Sequence, residues 1–310
     1  MKTIYLSHPH KHEESKPSVM ALGYFDGIHR GHQKVISTAK SIAVEKGIEA
    51  SVMTFYPHPS VVLGKSTPQT EAITPLDEKI DLIEQLGIDV LYVVKFDPTI
   101  AGLTPQQFVD DYIIALSVLH VVAGFDFTYG SKGRGTMDSM PFHARNKFEQ
   151  TVIDKVSKQD EKVSSTLIRS YIRNGMVASV KEVLGRHYTI KGTVVKGDQR
   201  GRTIGFPTAN VALKDEYLVP ATGVYAVRMK TERTWMNGVC NVGYKPTFYD
   251  DRPDKPSLEV HVFDYEGDLY DREVVVEFHQ KIRGEVKFPS VDALIKQIGE
   301  DVEEARQILE

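Results

Sequence analysis

The hydrophobic pattern of the sequence changes near Arg186, and this change constrains the fold more than any other feature. Before it, apolar runs typical of strands alternate with segments that carry apolar residues at helical spacing. After it, short β-rich runs are separated by Gly, Pro, Asp and Asn. We therefore expect two domains, residues 1–185 and 186–310, which agrees with a soft prior of about 150 residues per domain.

The first part predicts a parallel sheet with helices on both faces, because strands and helices alternate along it. The predicted strands are 18–23, 49–55, 89–96 and 120–123. One helix ends at Gly47, a second carries its apolar stripe from Leu76 to Leu86, and a third begins at Thr104-Pro105.

The second part predicts a small barrel or a sandwich, and the spacing of its strands leaves both open. The strand-like runs are 223–229, 258–263 and 273–278. A final amphipathic helix begins after Ser290, which has the side chain of an N-cap.

Composition excludes several classes of protein. Lys and Arg total 38 against 42 Asp and Glu, a net charge of −4, so nothing drives the whole chain towards nucleic acid. Cys240 is the only cysteine, which rules out an internal disulfide and a cysteine-based zinc cluster. We find no apolar run long enough for a membrane span and no secretory signal, so we expect a cytoplasmic protein without a membrane partner. The oligomeric state is not predicted.

The segment GYFDGIHRGH, Gly23 to His32, lies at a strand-to-helix turn. His29 and His32 are three residues apart and share one face in a first helical turn. Gly31 allows close approach of a ligand, and a helix N-terminus favours phosphate. The alternative is a glycine turn with two surface histidines.

Three further segments of the first part carry polar groups. TFYPHP presents His58 at the end of a strand, where open α/β sheets bind ligands. GFDFTYGSKGRG is a basic, glycine-rich loop, and the hydroxyls and Arg169 of VSSTLIR suit phosphate. Each motif also has an alternative without a ligand. TFYPHP can be a rigid loop, GFDFTYGSKGRG a solvated loop, and VSSTLIR a cluster of N-cap residues.

The second part has two candidate sites. In GFPTAN, Thr208 and Asn210 point the same way if extended, and their oxygens suit Mg²⁺ carrying nucleotide phosphates. The loop 197–202 before them is basic. Glu259 in LEVHVF lies opposite the apolar face of its strand and is a candidate base, although a solvated strand face is the more common explanation of such a residue. A Walker A loop, a G-x-G-x-x-G turn and an H-E-x-x-H motif are missing from the sequence.

Taken together, these motifs resemble the bacterial bifunctional riboflavin kinase/FAD synthetase family over nearly the whole chain. GYFDGIHRGH, TFYPHP, GFDFTYG and VSSTLIR resemble its adenylyltransferase motifs, and GFPTAN, GVYA and LEVHVFD its kinase motifs. The resemblance implies a Rossmann-like nucleotidyltransferase domain that makes FAD from FMN and ATP. It also implies a six-stranded β-barrel, with a C-terminal helix, that phosphorylates riboflavin with ATP and Mg²⁺.

The resemblance also implies roles for individual residues. Glu259 would be the kinase base, and His29 and His32 would stabilise phosphate charge. Thr208 and Asn210 would hold Mg²⁺. Nucleotide contacts would come from Gly23, Phe25, Asp26, Gly31, Ser165, Thr166, Arg169, Lys196 and Arg200. Flavin contacts would come from His58, Pro59, Asp126, Phe127 and Arg283. The sequence differs from the family pattern at Tyr24, Leu167 and Asp271, where Asn, Arg and Gly are common.

Two other classes of function are weighed against the enzyme. A flavin or nucleotide sensor derived from an enzyme would not need to keep Glu259, His29 and His32. An RNA-binding protein would suit an H-x-G-H module and a small barrel, but the net charge of −4 counts against it.

Overall fold

The computed structural model describes residues 1–10, 15–64, 71–158, 161–197, 200–232, 234–244 and 256–310. Within them the chain divides into two compact units, Met1–Ser165 and Thr166–Glu310. The segment between Thr166 and the predicted boundary at Arg186 therefore groups with the second unit.

The first unit contains a six-stranded sheet whose order is β1-β4-β3-β2-β5-β8. Its strands, with the short hairpins that accompany them, are β1 (Lys2–Leu6), β2 (Ser18–Leu22), β3 (Glu49–Tyr56), β4 (Val90–Lys95), β5 (Val118–Gly124), β6 (Thr128–Tyr129), β7 (Gly135–Thr136), β8 (Glu149–Ile153), β9 (Ser157–Lys158) and β10 (Glu161–Lys162). All neighbouring strands of the sheet run parallel. The predicted parallel sheet is confirmed.

Helices cover both faces of this sheet. They are α1 (Arg30–Lys46), α2 (Pro59–Val62), α3 (Leu76–Gln85), α4 (Pro98–Gly102), α5 (Pro105–Val109) and α6 (Met140–Ala144). Every residue of β2 is buried, since Val19 and Ala21 pack into the core under α1 and Met20 and Leu22 into the core on the opposite face. A strand covered on both faces reads as a continuous apolar run.

Gly47 ends α1 as predicted, whereas the N-cap role of His29 was not predicted from the sequence. His29 caps the N-terminus of the helix, and Gly47 ends it with φ 65, donating its N–H to the carbonyls of Ala43 and Val44. The sheet order reverses between β2 and β5, because β2 continues through α1 to β3 on one side while β5 lies on the other. The carboxyl ends of these two strands therefore form the crevice where open α/β sheets bind ligands.

The second unit is built around a closed barrel with the strand order β11-β12-β15-β14-β13-β16. Its elements are α7 (Ser165–Arg173, whose first residue belongs to the first unit), α8 (Val177–Leu184), β11 (Tyr188–Val195), α9 (Arg200–Thr203), β12 (Ala209–Leu213), β13 (Gly223–Thr231), β14 (Thr234–Tyr244), β15 (Pro256–Val262), β16 (Glu273–Arg283) and α10 (Val291–Leu309). The sequence left a barrel and a sandwich open, and the structure is the six-stranded barrel.

Apolar side chains of alternating strand positions fill the barrel interior. On β15 these are Leu258 and Val260, both fully buried, whereas Glu259 between them points outward. Ala305 and Leu309 of α10 pack against the barrel, and the predicted N-cap Ser290 accepts the N–H of Ala293 at 3.2 Å. Among the residues that the structure describes, no helix is both long and apolar enough to cross a membrane.

Candidate functional site

Three residues of the loop after β2 have positive φ values. Phe25, Gly27 and Ile28 have φ values of 54, 90 and 43. The ring of Phe25 folds back on Gly23, where a Cβ would come within 2.8 Å of it. Gly23 is thus needed because the Phe25 ring, 1% exposed, occupies the space of its side chain.

Two imidazoles meet at the end of this loop. The ring of His29 stacks on that of His32 with centroids 3.5 Å apart, and His29 Nδ1 accepts the N–H of His32 at 3.2 Å. The ring of Phe25 meets His32 edge-on, with centroids 5.2 Å apart. A Cβ on Gly31 would lie 3.1 Å from the His29 ring, so the absence of a side chain there lets the histidine lie over the helix start.

Both histidines are neutral at physiological pH in this environment. Burial lowers the pKa of His29 to about 4, and burial together with the neighbouring His29 lowers the pKa of His32 well below its ordinary value. His32 Nδ1 is buried and has no hydrogen-bond partner among the residues that the structure describes. Such a nitrogen, at a helix N-terminus, is placed to meet a polar ligand.

Asp26 anchors the loop. Its Oδ1 accepts the N–H groups of Ile73 and Thr74 at 3.1 Å each, and its carbonyl accepts the hydroxyl of Ser165 at 2.9 Å. Asp26 is 3% exposed. Asp26 and Ser165, both predicted to bind nucleotide, are therefore joined by a hydrogen bond within the first unit.

Lys79 is a buried cation that the sequence analysis missed. Its Nζ donates to the carbonyl of Tyr24 at 2.8 Å and lies 4.2 Å from the centre of the Tyr24 ring. Burial lowers the pKa of Lys79 to about 8, although the negative charge of Asp26 opposes this shift. The sequence did carry a signal that Lys79 is buried, because Lys79 lies between Leu76 and Ile83 at the spacing of the buried face of α3.

The second motif lies beside the first. The ring of His58 meets that of Tyr24 edge-on, with centroids 4.3 Å apart. His58 also caps α2, accepting the N–H of Ser60 at 3.0 Å, and Pro59 is the first residue of that helix. The loop after β2 and the loop after β3 thus meet at the carboxyl edge of the sheet.

The third motif approaches the histidines from β5. Asp126 is exposed and forms an ion pair with Lys162. Both charges act on His29, since Asp126 raises its pKa and Lys162 lowers it. Phe127 next to it is half-buried and packs against the core.

Two of the residues predicted to bind nucleotide, Thr166 and Arg169, belong to the second compact unit. Thr166 is exposed on the first turn of α7, and Arg169 is buried on the same helix, 4% exposed. Leu167, which differs from the family pattern, lies between them and is half-buried.

Three polar residues form a row across the outer face of the barrel. Glu259 on β15 pairs with Asn210 on β12 and with Asn241 on β14. Residues paired directly across neighbouring strands project from the same face. Asn241 is exposed and was not singled out from the sequence, because its pairing with Glu259 depends on a register that only the closed barrel sets.

The chemistry of this row fits Mg²⁺. Thr208 precedes Asn210 by two residues, and hydroxyl and amide oxygens beside a carboxylate are the donors that a hard cation prefers. Gly197 passes so close to Asn210 that a Cβ there would lie 2.3 Å from its amide nitrogen. Lys196 next to it is exposed, and Arg200 begins α9.

Arg283 forms an ion pair with Asp301. Its Nε and Nη2 donate to the two carboxylate oxygens of Asp301 at 2.8 and 2.7 Å, and Asp301 is 3% exposed. The guanidinium carbon also lies 5.5 Å from the ring centre of Phe288. Asp271, where the family pattern has Gly, adopts φ 59.

Family models match both parts of the chain. A model described as FAD synthetase matches residues 11–167, and one described as riboflavin kinase matches residues 184–309. The two matches leave 16 intervening residues, 168–183, which lie in α7 and α8 and the turn between them.

Curated proteins named bifunctional riboflavin kinase/FMN adenylyltransferase match nearly the whole chain. The one from Bacillus subtilis is 54% identical over 98% of this chain and 97% of its own length. Those from Listeria monocytogenes and Escherichia coli K12 are 46% and 34% identical over 99% of this chain, covering 98% and 97% of their own lengths. A crystal structure of a Streptococcus pneumoniae protein, named there a macrolide-efflux protein, is 35% identical with a TM-score of 0.91 and covers 99% of each chain.

Proposed function

The chain belongs to the bifunctional riboflavin kinase/FMN adenylyltransferase family, and on that premise we propose how its residues perform the two reactions. The enzyme phosphorylates riboflavin to FMN with ATP, releasing ADP. It then transfers AMP from a second ATP to FMN, forming FAD and releasing pyrophosphate. The observation that carries the residue assignment is the stacked pair of His29 and His32 at the sheet crevice.

In the adenylyl transfer, an oxygen of the FMN phosphate attacks the α-phosphorus of ATP and pyrophosphate leaves. We assign His29 and His32 to donate hydrogen bonds to the phosphate oxygens on which charge develops. The Nδ1 of His32, which has no hydrogen-bond partner in the described part of the chain, and its place at the N-terminus of α1 support this role. The negative charge of a bound polyphosphate would raise the low pKa of both rings.

For this reaction we retain as a proposal the nucleotide set predicted from the sequence: Gly23, Phe25, Asp26, Gly31, Ser165, Thr166 and Arg169. In this set Gly23, Phe25 and Asp26 shape the loop, as their packing and hydrogen bonds indicate. His58, Pro59, Asp126 and Phe127 are the proposed flavin contacts of this module.

In the kinase reaction, Glu259 takes the proton of the ribityl 5′-hydroxyl while that oxygen attacks the γ-phosphorus of ATP. Thr208 and Asn210 would hold Mg²⁺, which when bound neutralises phosphate charge. The row formed by Asn210, Glu259 and Asn241 supports this placement. Lys196 and Arg200 are the proposed phosphate contacts, and Arg283 is a proposed flavin contact. We propose a cytoplasmic location, where ATP is available.

The test uses purified protein with riboflavin, ATP and Mg²⁺, and follows the flavins by chromatography. We expect FMN first and FAD second. Glu259→Gln should abolish FMN formation and leave conversion of supplied FMN to FAD intact. His29→Ala should do the reverse. Kinase activity surviving in Glu259→Gln removes Glu259 as the base, and an unchanged FAD yield in His29→Ala removes His29 from the transfer.

Separate expression of the halves tests the domain assignment. We propose that fragments 1–185 and 186–310 each retain one reaction. Fragments divided between Ser165 and Thr166 are the comparison, because the two compact units of the chain divide there. If fragments 1–185 and 186–310 lost both activities while the fragments divided after Ser165 kept them, the domain boundary would lie after Ser165.

A further inference from the structure

Two histidines and a glutamate form a cluster on the barrel wall, away from the row that contains Glu259. His187 immediately precedes β11, and Glu277 and His279 lie two residues apart on β16. One possible ligand atom from each of the three side chains lies within 4.8 Å of the other two. Among the described residues, this is the one group of three His, Cys, Asp or Glu side chains whose ligand atoms lie so close together. In the barrel order, β11 and β12 on one side and β13 and β14 on the other separate β16 from β15.

The imidazoles are already arranged as ligands. The rings of His187 and His279 stack with centroids 3.8 Å apart. His187 Nδ1 lies 3.2 Å from the carbonyl of Phe278, which only accepts, so this nitrogen carries the proton and Nε2 keeps its lone pair. Histidines that bind metals commonly donate their other ring nitrogen to a backbone carbonyl in this way.

The carboxylate supplies the third ligand. Glu277 Oε1 lies 2.8 Å from His279 Nε2 and accepts its proton in a hydrogen bond. Side-chain exposures of 12% for His279 and 21% for Glu277 keep the cluster sheltered but reachable from solvent. A cation seated between them replaces that proton on Nε2, and the neutral ring then carries its proton on Nδ1.

The electrostatic surroundings keep the ligands in their binding forms. Burial and the neighbouring His279 lower the pKa of His187, which keeps it neutral. Burial is the largest single effect on Glu277 and opposes its ionisation, but the hydrogen bond to His279 and the charges of His187, His279 and Arg228 together lower the pKa of this carboxyl. Two cations also act on the cluster: Lys181 on α8 lowers the pKa of His187, and Arg228 on β13, bonded to the carbonyl of Leu309, lowers that of Glu277.

We propose that His187, Glu277 and His279 bind a divalent transition metal of the Zn²⁺ class, with water completing its coordination. Two imidazole nitrogens and one carboxylate select Zn²⁺, Ni²⁺ or Co²⁺ over Mg²⁺, which prefers oxygen ligands. Because the metal joins the start of β11 to β16 in the folded state alone, it stabilises the barrel.

The experiment titrates ZnCl₂ into the full chain, freed of metal with a chelator, by calorimetry. His8, His10 and His12 are first replaced by Gln, because a histidine-rich segment can bind metal by itself. We expect one Zn²⁺ per chain in this background and a higher melting temperature. His187→Gln and His279→Gln should each weaken binding about tenfold or more, whereas His261→Gln, a control on β15, should not.

Co²⁺ provides a second readout that does not depend on stability. Visible absorption typical of nitrogen and oxygen coordination should appear on addition of CoCl₂, and should disappear in Glu277→Gln and in His279→Gln. Equal Zn²⁺ affinity in the background protein and in both histidine variants would overturn the proposal. So would the absence of any Zn²⁺ binding at micromolar concentration in the background protein.

Discussion

His29 Nδ1 accepts the backbone N–H of His32, so one histidine both caps α1 and holds the other at the sheet crevice. The cap and the stacked rings are two separable properties of this side chain. Asn can reproduce the first, since it is among the preferred N-cap residues, but it cannot reproduce the second.

Replacement of His29 should therefore separate stability from activity. His29→Ala removes cap and ring, and we expect a loss of about 1 kcal/mol of stability with a fall of about 100-fold or more in FMN adenylylation. His29→Asn should regain the stability without the activity. Thermal denaturation and chromatography of flavins measure the two effects; recovery of FAD formation in His29→Asn would contradict a role for the imidazole.

The buried histidines predict how stability depends on pH. The pKa of His29 falls from 6.5 in the unfolded chain to about 4 in the folded one, so the unfolded state binds more protons between these values. Stability should be fully present above about pH 6.5 and decline as the pH falls towards 4. Urea titrations from pH 7 to 5 measure this decline. His29→Asn should show a shallower decline, and an identical slope would argue against burial as its cause.

Lys79 should matter to adenylyl transfer although it lies beneath the loop. Lys79→Met keeps the length of the side chain but removes the donor to the Tyr24 carbonyl. We expect kcat/KM for FAD formation to fall about tenfold, a change of about 1.4 kcal/mol, with riboflavin phosphorylation unchanged. Lys95→Met, at an exposed lysine that ends β4, is the matched control. Equal activity of the two variants would show that the Lys79 donor does not support the loop.

Asn241 should contribute to the kinase reaction. It flanks Glu259 on the side opposite Asn210, and an amide there can bind the substrate or orient the carboxylate. Asn241→Ala should lower kcat/KM for FMN formation about tenfold, consistent with loss of one hydrogen bond to a charged group. Asn237→Ala, at an exposed asparagine on the same strand, should retain full activity. Unchanged kinetics in Asn241→Ala would exclude it from the site.

The ion pair of Arg283 and Asp301 allows structural and binding roles to be distinguished. Arg283→Met leaves a buried carboxylate without its partner and should destabilise the protein by about 3–5 kcal/mol. The double variant Arg283→Met/Asp301→Leu removes both charges and should recover much of the melting temperature. If Arg283 also binds flavin, the KM for riboflavin should stay raised in the double variant; a normal KM would confine Arg283 to stability.

Much of the fold follows from local patterns, as α1 and its Gly47 cap show. What escaped prediction depends on distant partners. β1, residues Lys2–Leu6, is an edge strand in which only Leu6 is buried, and it gains its hydrogen bonds from β4, which lies far along the chain. Asn241 likewise acquires its position only when the barrel closes. Lys79 was predictable in principle, because a lysine on the apolar stripe of α3 must find partners to remain buried.

The row of Asn210, Glu259 and Asn241 lies on the outside of a barrel whose interior is filled with apolar side chains. If this row is the kinase site, its substrates reach it without any opening of the core. Leu258 and Val260 are constrained by packing in the barrel interior, whereas Glu259, between them, faces away from that interior. Under that assignment, a substitution at an outward position of β15 can change the kinase site without disturbing the packing of the barrel.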